Sequence, residues 1–248
     1  MLKNRLYLSL ILVFSIILGL FLVYWFYLAK PAPFPSDESL LEEMNGLFSA
    51  AEARTIQDKI TLDKKHVFVP FISADEDYGV SYWVWEKHSW SLASIDTTGE
   101  PHVWKLDPKD PSSYHFVWNF HPKDEIKKLH FYMVRERGYH ITEGVHTYYP
   151  GVQMMENVTL EQSYGVKQMP PSWASVMDAH VAVEKGRQPN GPFNYTNSTF
   201  GFGWFPHDET GELIFPEHSV NGNGYHTGGQ FIDYMSIMDK ADLDYPIE

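Results

Sequence analysis

From Leu6 to Ala29 the chain runs for 24 residues without one charged side chain. Lys3 and Arg5 precede this run, and Lys30 with Pro31, Pro33 and Pro35 closes it. A helix rising 1.5 Å per residue crosses a hydrocarbon core of roughly 30 Å in about 20 residues, so the run is long enough to span. A cleaved signal peptide has a shorter apolar core, about 7–15 residues, followed by a small-x-small site. Here the run ends in Tyr24-Trp25-Phe26-Tyr27, and Ala29 has Tyr27 two positions before it and Lys30 next. This predicts an uncleaved signal anchor over residues 6–29, with its aromatic cluster at the membrane–water interface. The cations of the tip, residues 1–5, place the N-terminus in the cytoplasm and residues 31–248 outside it.

Charge and cysteine content narrow the setting. Three of the 19 Lys+Arg and none of the 32 acidic residues lie in the first 30 positions, which leaves a net −16 beyond Lys30 with histidines neutral. Such a surface repels nucleic acid and anionic headgroups, which excludes a DNA or RNA role. With no cysteine in the chain, a thioether lipid anchor is chemically impossible, and the domain has none of the disulfides usual in secreted eukaryotic domains. A bacterial cell-envelope domain fits this combination. Sequons at Asn157, Asn194 and Asn197 read as chance in a stretch rich in Asn and Thr.

Residues 30–36 read as a stiff Pro-rich spacer, and 37–248 as one extracytoplasmic domain. A first helix is expected from Ser36 or Asp37, with Leu40, Leu41, Met44, Leu47, Phe48 and Ala51 as its docking stripe. From His66 the pattern turns to strands joined by turn-length connections, which makes antiparallel neighbours. Residues 114–120 alternate cleanly: Tyr114, Phe116, Trp118 and Phe120 share one face, and His115, Val117, Asn119 and His121 the other. Residues 139–145 read as one strand of the meander, 212–215 as another, and 230–238 as a single closing strand. A second helix starts at Pro170-Pro171-Ser172, with Trp173, Val176, Met177, His180 and Val181 at helical spacing. The predicted fold is α+β, mainly antiparallel β, a sandwich or partly closed barrel with two peripheral helices, behind one N-terminal transmembrane helix.

Residues able to carry chemistry are sparse. All 12 histidines lie beyond residue 30, and His140, Glu143 and His146 superficially echo a metalloprotease signature. That chemistry needs two histidines four apart on one helical face; here they are six apart with Gly144 between, in a strand-like stretch, so no metal site is assigned. Asp75-Glu76-Asp77 has a D-x-D form used by membrane glycosyltransferases, but the strands around it lack the β/α alternation of a nucleotide-sugar domain. Neither a Gly-x-Ser-x-Gly elbow nor a phosphate-cradling glycine loop is present. Of the tryptophans, Trp83, Trp85, Trp90, Trp104 and Trp118 fall on predicted strands and read first as core. Tyr148, Tyr149, Trp204 and Tyr225 lie near predicted loops and are the candidate ligand contacts.

The resulting expectation is a single-pass, membrane-anchored extracytoplasmic domain that binds an envelope protein or a wall polymer, without catalysis and without a cofactor. Two alternatives stay open. One is an envelope glycan hydrolase using a carboxylate pair, and the other a histidine-based metal or pH sensor. An acidic pair in a concave site with one raised pKa would favour the hydrolase, and an exposed apolar patch without it the binding domain.

Overall fold

The computed structural model describes residues 2–25, 30–142, 144–187 and 200–244. Helix α1 covers Leu2–Val23 and α2 Asp37–Leu47, followed by β1 Ala53–Ile56, β2 Ile60–Thr61, β3 His66–Ser73, β4 Tyr78–Glu86 and β5 Ser89–Asp96. Next come β6 His102–Lys105, β7 Tyr114–Asn119, β8 Lys128–Arg135, β9 Gly138–Thr142, β10 Val145–Tyr149, β11 Val152–Thr159 and β12 Tyr164–Gln168. Helix α3 spans Pro171–Arg187, and β13 Gly201–His207, β14 Gly224–His226, β15 Phe231–Tyr234 and β16 Ser236–Ile237 complete the chain.

These strands build three stacked sheets and a free hairpin. Sheet A has the order β1-β3-β4-β5-β14 with β2 also on β3, sheet B the order β12-β7-β6-β15, and sheet C the order β11-β8-β13-β16. All pairings are antiparallel except β13 with β16. The mainly antiparallel α+β expectation therefore holds, as a three-layer stack and without a closed barrel.

Alternation along β7 explains the middle layer. Tyr114, Phe116 and Trp118 enter one core with Phe131 and Trp204 of sheet C and Trp173 and Met177 of α3. Val117 points the other way and packs with Trp104, Phe68, Val80 and Tyr82 between sheets B and A. Sheet B is thus covered on both faces, and the polar-looking face of β7 is interior. Asn119 is fully buried there, and its amide donates to the Phe71 carbonyl at 3.2 Å and the Gly79 carbonyl at 2.8 Å, tying sheet B to β3 and β4. A half-buried polar strand in a two-layer sandwich would leave that amide in water; a third layer needs it bonded.

The outer face of sheet A is closed by α2. Ser36 caps the helix by accepting from the Ser39 N–H, and Asp37 and Glu38 sit in its positive first turn. Leu40 and Met44 then bury against Val67, Val69, Phe71 and Leu92. The spacer is held to the same sheet: Trp90 Nε1 donates to the Ala32 carbonyl at 2.9 Å, and Phe34 meets the Trp90 ring edge-on at 4.9 Å. Helix α3 is less peripheral than expected, since Trp173 and Met177 belong to the central core.

Several local expectations are corrected. Residues 139–145 do not form one strand; they turn at Gly144 (φ +78°) and pair β9 with β10. Residues 230–238 split into β15 on sheet B and β16 on sheet C, with Met235 buried between them. Residues 212–215 contribute only one bridge, Leu213 to His207. The transmembrane helix is not supported either. Among the described residues no helix is long and apolar enough to cross a membrane.

Candidate functional site

The described residues present two chemically distinct regions. The first is the β9–β10 hairpin, a two-stranded sheet on its own, in which Tyr139 pairs with Tyr148 and Ile141 with His146. Direct cross-strand partners share a face, so these four side chains form one surface. Tyr139, Ile141 and Tyr148 are 58%, 59% and 59% exposed. The Tyr139 hydroxyl and His146 Nδ1 are hydrogen-bonded across the strands. The opposite face is fixed. Tyr149 donates through its hydroxyl to Glu184 of α3 at 3.3 Å, and its ring meets His180 edge-on. Arg135 at the base donates to the Pro150 carbonyl at 3.0 and 3.2 Å and holds His180 Nδ1 at 2.9 Å. Beside this base lies a groove of about 640 Å³, lined by Arg135, Arg137, Phe202, Met238, Asp242 and Leu243 among others.

The other predicted contacts are scattered. Trp204 is fully buried in the central core, its Nε1 donating to the Met235 carbonyl at 3.0 Å, which removes it as an exposed contact. Its loop-like glycine neighbours, Gly201 and Gly203, are strand residues of β13. Tyr225 is half-buried on β14 and stacks on Phe48 at 6.3 Å. Tyr148 and Tyr149 are consecutive on β10 and point to opposite faces of the hairpin, so none of the four predicted contacts shares a surface with another. Asp75-Glu76-Asp77 is an exposed turn between β3 and β4, with Glu76 at φ 67° and the Asp75 and Asp77 amides bonded to Ser73 Oγ. Trp83, Trp104 and Trp118 are core residues. Glu143, Asn194 and Asn197 fall outside the described residues, and Asn157 is exposed on β11.

The second region lies where the edge strands β14 and β15 bring sheets A and B together. Asp96, at the end of β5, accepts from Thr98 N at 3.0 Å, Thr98 Oγ1 at 3.1 Å and the Tyr234 hydroxyl at 2.9 Å. His102, on β6, is directly opposite Tyr234 on β15. Its Nδ1 is 2.6 Å from the Tyr82 hydroxyl, its ring meets Tyr234 edge-on at 4.5 Å, and its buried Nε2 has no partner. His226 is exposed, with Nδ1 at 2.6 Å from Ser94 Oγ. Residue 222 is closely confined, since a Cβ there would stand 2.4 Å from Thr98 Oγ1 and 2.7 Å from Asp96 Oδ1, and a Cβ on Gly224 would make a tight 3.2 Å contact with Asp96 Oδ2. Gly99 is equally constrained, because a Cβ there would overlap the Asn119 carbonyl.

Electrostatics follow from this packing. Burial lifts the Asp96 carboxyl above its ordinary range, and the hydrogen bonds from Thr98 and Tyr234 pull the other way. Burial, with the neighbouring Asp96 charge, pushes Glu100 up to about 7. Burial, with repulsion from His226, drives His102 down to about 3, so it stays neutral at physiological pH. The Tyr82 and Tyr234 phenols are raised, chiefly by burial and then by Asp96.

One carboxyl protonated near neutrality beside another is half of what a carboxylate-pair hydrolase requires. The other half is that both reach opposite sides of one bond. Asp96 is only 3% exposed, already accepts three hydrogen bonds and is roofed by Gly222 and Gly224. It offers no oxygen to a substrate, so this pair lacks the second carboxylate that such a hydrolase requires. Among the described residues no three His, Asp or Glu side chains could hold a metal. The cluster escaped sequence reasoning because its members lie on five strands and one turn; the only trace was the Asn221-Gly-Asn-Gly224 loop, read as a simple turn. Compared with known proteins, the chain matches no family model, no curated protein and no solved structure.

Proposed function

We propose that this protein is a membrane-held, extracytoplasmic binding domain that captures an extended segment of an envelope protein on the β9–β10 hairpin. One observation carries the reading: Tyr139, Ile141 and Tyr148 stand more than half exposed on one face of a hairpin whose other face is pinned to α3. An apolar surface costs solvation free energy when left in water, and aromatic side chains are the usual anchors of protein interfaces. Among the described residues β9 and β10 pair as strands only with each other, so no third strand covers their outer edges. An added strand would use them, while alternate side chains of the partner meet the tyrosines. The groove at the hairpin base, with two arginines and an apolar wall of Phe202 and Met238, continues that path.

Membrane attachment is part of the same proposal. The support is the uncharged run 6–29 together with the 22-residue backbone of α1, which rises about 33 Å. Its large apolar side chains from Leu10 to Val23 are 43–66% exposed, as expected of a lipid-facing helix.

The test uses the full chain in its own membranes, with a photo-crosslinking amino acid at position 148 and, as control, at the exposed position 109 between β6 and β7. The expected result is a discrete adduct from position 148 alone, lost in the Tyr139→Ser/Ile141→Ser variant. External protease should digest the C-terminal domain of intact protoplasts. Equal adducts from both positions, or complete protection from protease, overturns the proposal.

A further inference from the structure

We propose that the tip of the β4–β5 hairpin, Glu86 to Ser89 with Trp85 behind it, is a lipid-contact surface seated in the headgroup layer of the bilayer. The inference rests on the membrane attachment proposed above and adds which end of the domain meets the lipid. The first argument is a ruler. The apolar run ends at Ala29, and three residues later the Ala32 carbonyl accepts from Trp90 Nε1 at 2.9 Å. Three residues of extended chain reach about 11 Å at most. Headgroups occupy roughly 5–8 Å on each side of the hydrocarbon core, so Trp90 stands in that layer or just above it. The spacer has no slack beyond this point: Phe34 packs edge-on against Trp83 and Trp90, and Lys59 Nζ donates to the Pro35 carbonyl at 2.9 Å.

The second argument gives the direction and is independent of the spacer. Trp25, two residues beyond α1, has its ring 4.6 Å from that of His88 and stacks on Phe21 one turn back. Trp85 meets His88 edge-on at 6.4 Å and its cross-strand partner Trp90 at 5.6 Å. A run of ring contacts therefore joins the end of the apolar helix to the hairpin. Past the Glu86–Ser89 pair the turn is Lys87 and His88, both at positive φ (51° and 65°), the two-residue turn whose twist suits a hairpin. Lys87 is exposed. Such a tip suits the interface: indole rings settle at headgroup depth, and a lysine on its flexible stem brings its ammonium to lipid phosphate.

Charge along sheet A has the sign this placement needs. The Trp85 N–H donates to the Lys65 carbonyl at 2.8 Å, so the β2–β3 turn lies beside the hairpin tip. Exposed Lys64, Lys65 and Lys87 there outnumber Asp63 and Glu86. The opposite turn, between β3 and β4, is Asp75-Glu76-Asp77, with every one of these acids exposed and no cation among them. Lipid phosphates attract the first end and repel the second. The nine residues of β4 separate the two ends by about 30 Å. Sheet A therefore stands on the bilayer by its β4–β5 end, and the domain is clamped there and not swung on a stalk.

The chain has no cysteine, so Lys87→Cys and Ala74→Cys each give a single labelling site. The full chain, labelled with a nitrobenzoxadiazole fluorophore, is placed in vesicles of phosphatidylcholine and phosphatidylglycerol that bear nitroxide headgroups. Expected is at least about twofold quenching from position 87 and none from position 74, which lies about 30 Å away along β4. Retention of the chain through an alkaline carbonate wash is read on the same vesicles. A retained chain with position 87 unquenched, or with both positions quenched alike, overturns the inference and leaves membrane attachment standing. A chain released by the wash overturns both. Should Lys87→Cys fail to fold, Ser89→Cys on the same turn takes its place.

Discussion

A tyrosine hydroxyl meets a histidine Nδ1 twice in this molecule, in two opposite settings. Tyr82 and His102 make the pair inside the seam between sheets A and B, where both are at most 2% exposed. Tyr139 and His146 make it on the open face of the β9–β10 hairpin. In the seam the pair is one link of a chain that runs through Tyr234 to Asp96, and burial moves His102 to about 3. On the hairpin water competes for the same bond, so the pair adds little to stability and leaves an aromatic face for a partner. Identical side chains thus stand buried in one place and exposed in the other, and only the buried pair is tied into the packing of the sheets.

The sharpest way to break this contrast is to cut the interior. Trp204→Ala removes a fully buried indole and its hydrogen bond to the Met235 carbonyl, and should cost about 4 kcal/mol in chemical denaturation. Its counterpart on the hairpin, Tyr148→Ser, should change stability by less than about 0.5 kcal/mol while removing partner capture. If both substitutions cost the same, the distinction between the regions is wrong.

Two glycines repeat the comparison with smaller effects. Gly99→Ala forces a Cβ into the Asn119 carbonyl and should destabilise by about 3 kcal/mol. Gly144→Ala meets nothing within 4 Å and bears only the strain of its positive φ, about 1 kcal/mol. Thermal unfolding of the two variants side by side checks the order.

A third test uses pH. Glu100 holds its proton more tightly folded than unfolded, so its contribution is full below about 4.5 and is lost as pH rises through about 7. The melting temperature of the natural chain should therefore fall between pH 5 and 8 more steeply than that of Glu100→Gln. The two curves should separate by about 2–4 °C at pH 8, with allowance for the partial exposure of the carboxyl. His102 works in the opposite direction. Its folded pKa lies below the ordinary 6.5, so stability drops as pH falls below about 6.5. His115, His121, His130 and His207 are lowered as well, chiefly by burial, and add to that acid-side loss. Coincident curves for the natural chain and Glu100→Gln would remove Glu100 from the linkage.

Much of the strand content was readable in advance. Residues 66–72, 103–106, 114–120 and 129–134 carry a β pattern that needs no tertiary information, and β3, β6, β7 and β8 stand there. The helix cap at Ser36 and the start of α3 at Pro171 were readable for the same local reason. Strands β1, β2, β11 and β12 were missed: their periodicity is weak, and their pairing with β3, β8 and β7 places them. The candidate sites were less legible. Tyr148 and Tyr149 were singled out only because they lie near predicted loops. Asp96, Glu100, His102, His226 and Tyr234 span 139 positions and meet only when β14 closes on β5 and β15 on β6.

Local chemistry by itself determined the apolar N-terminal run, the acidic balance beyond it, the absence of disulfides and the run of short antiparallel strands. Each of these depends on composition, or on alternation within a few residues, and so survives without knowledge of the fold. Tertiary structure alone decided that the sheets stack in three layers and that Trp204 is core while Tyr148 is surface. It also decided that two acids and a histidine share one desolvated seam. Burial and convergence are properties of the space between strands, and alternation along a single strand shows which residues share a face but not what lies against that face.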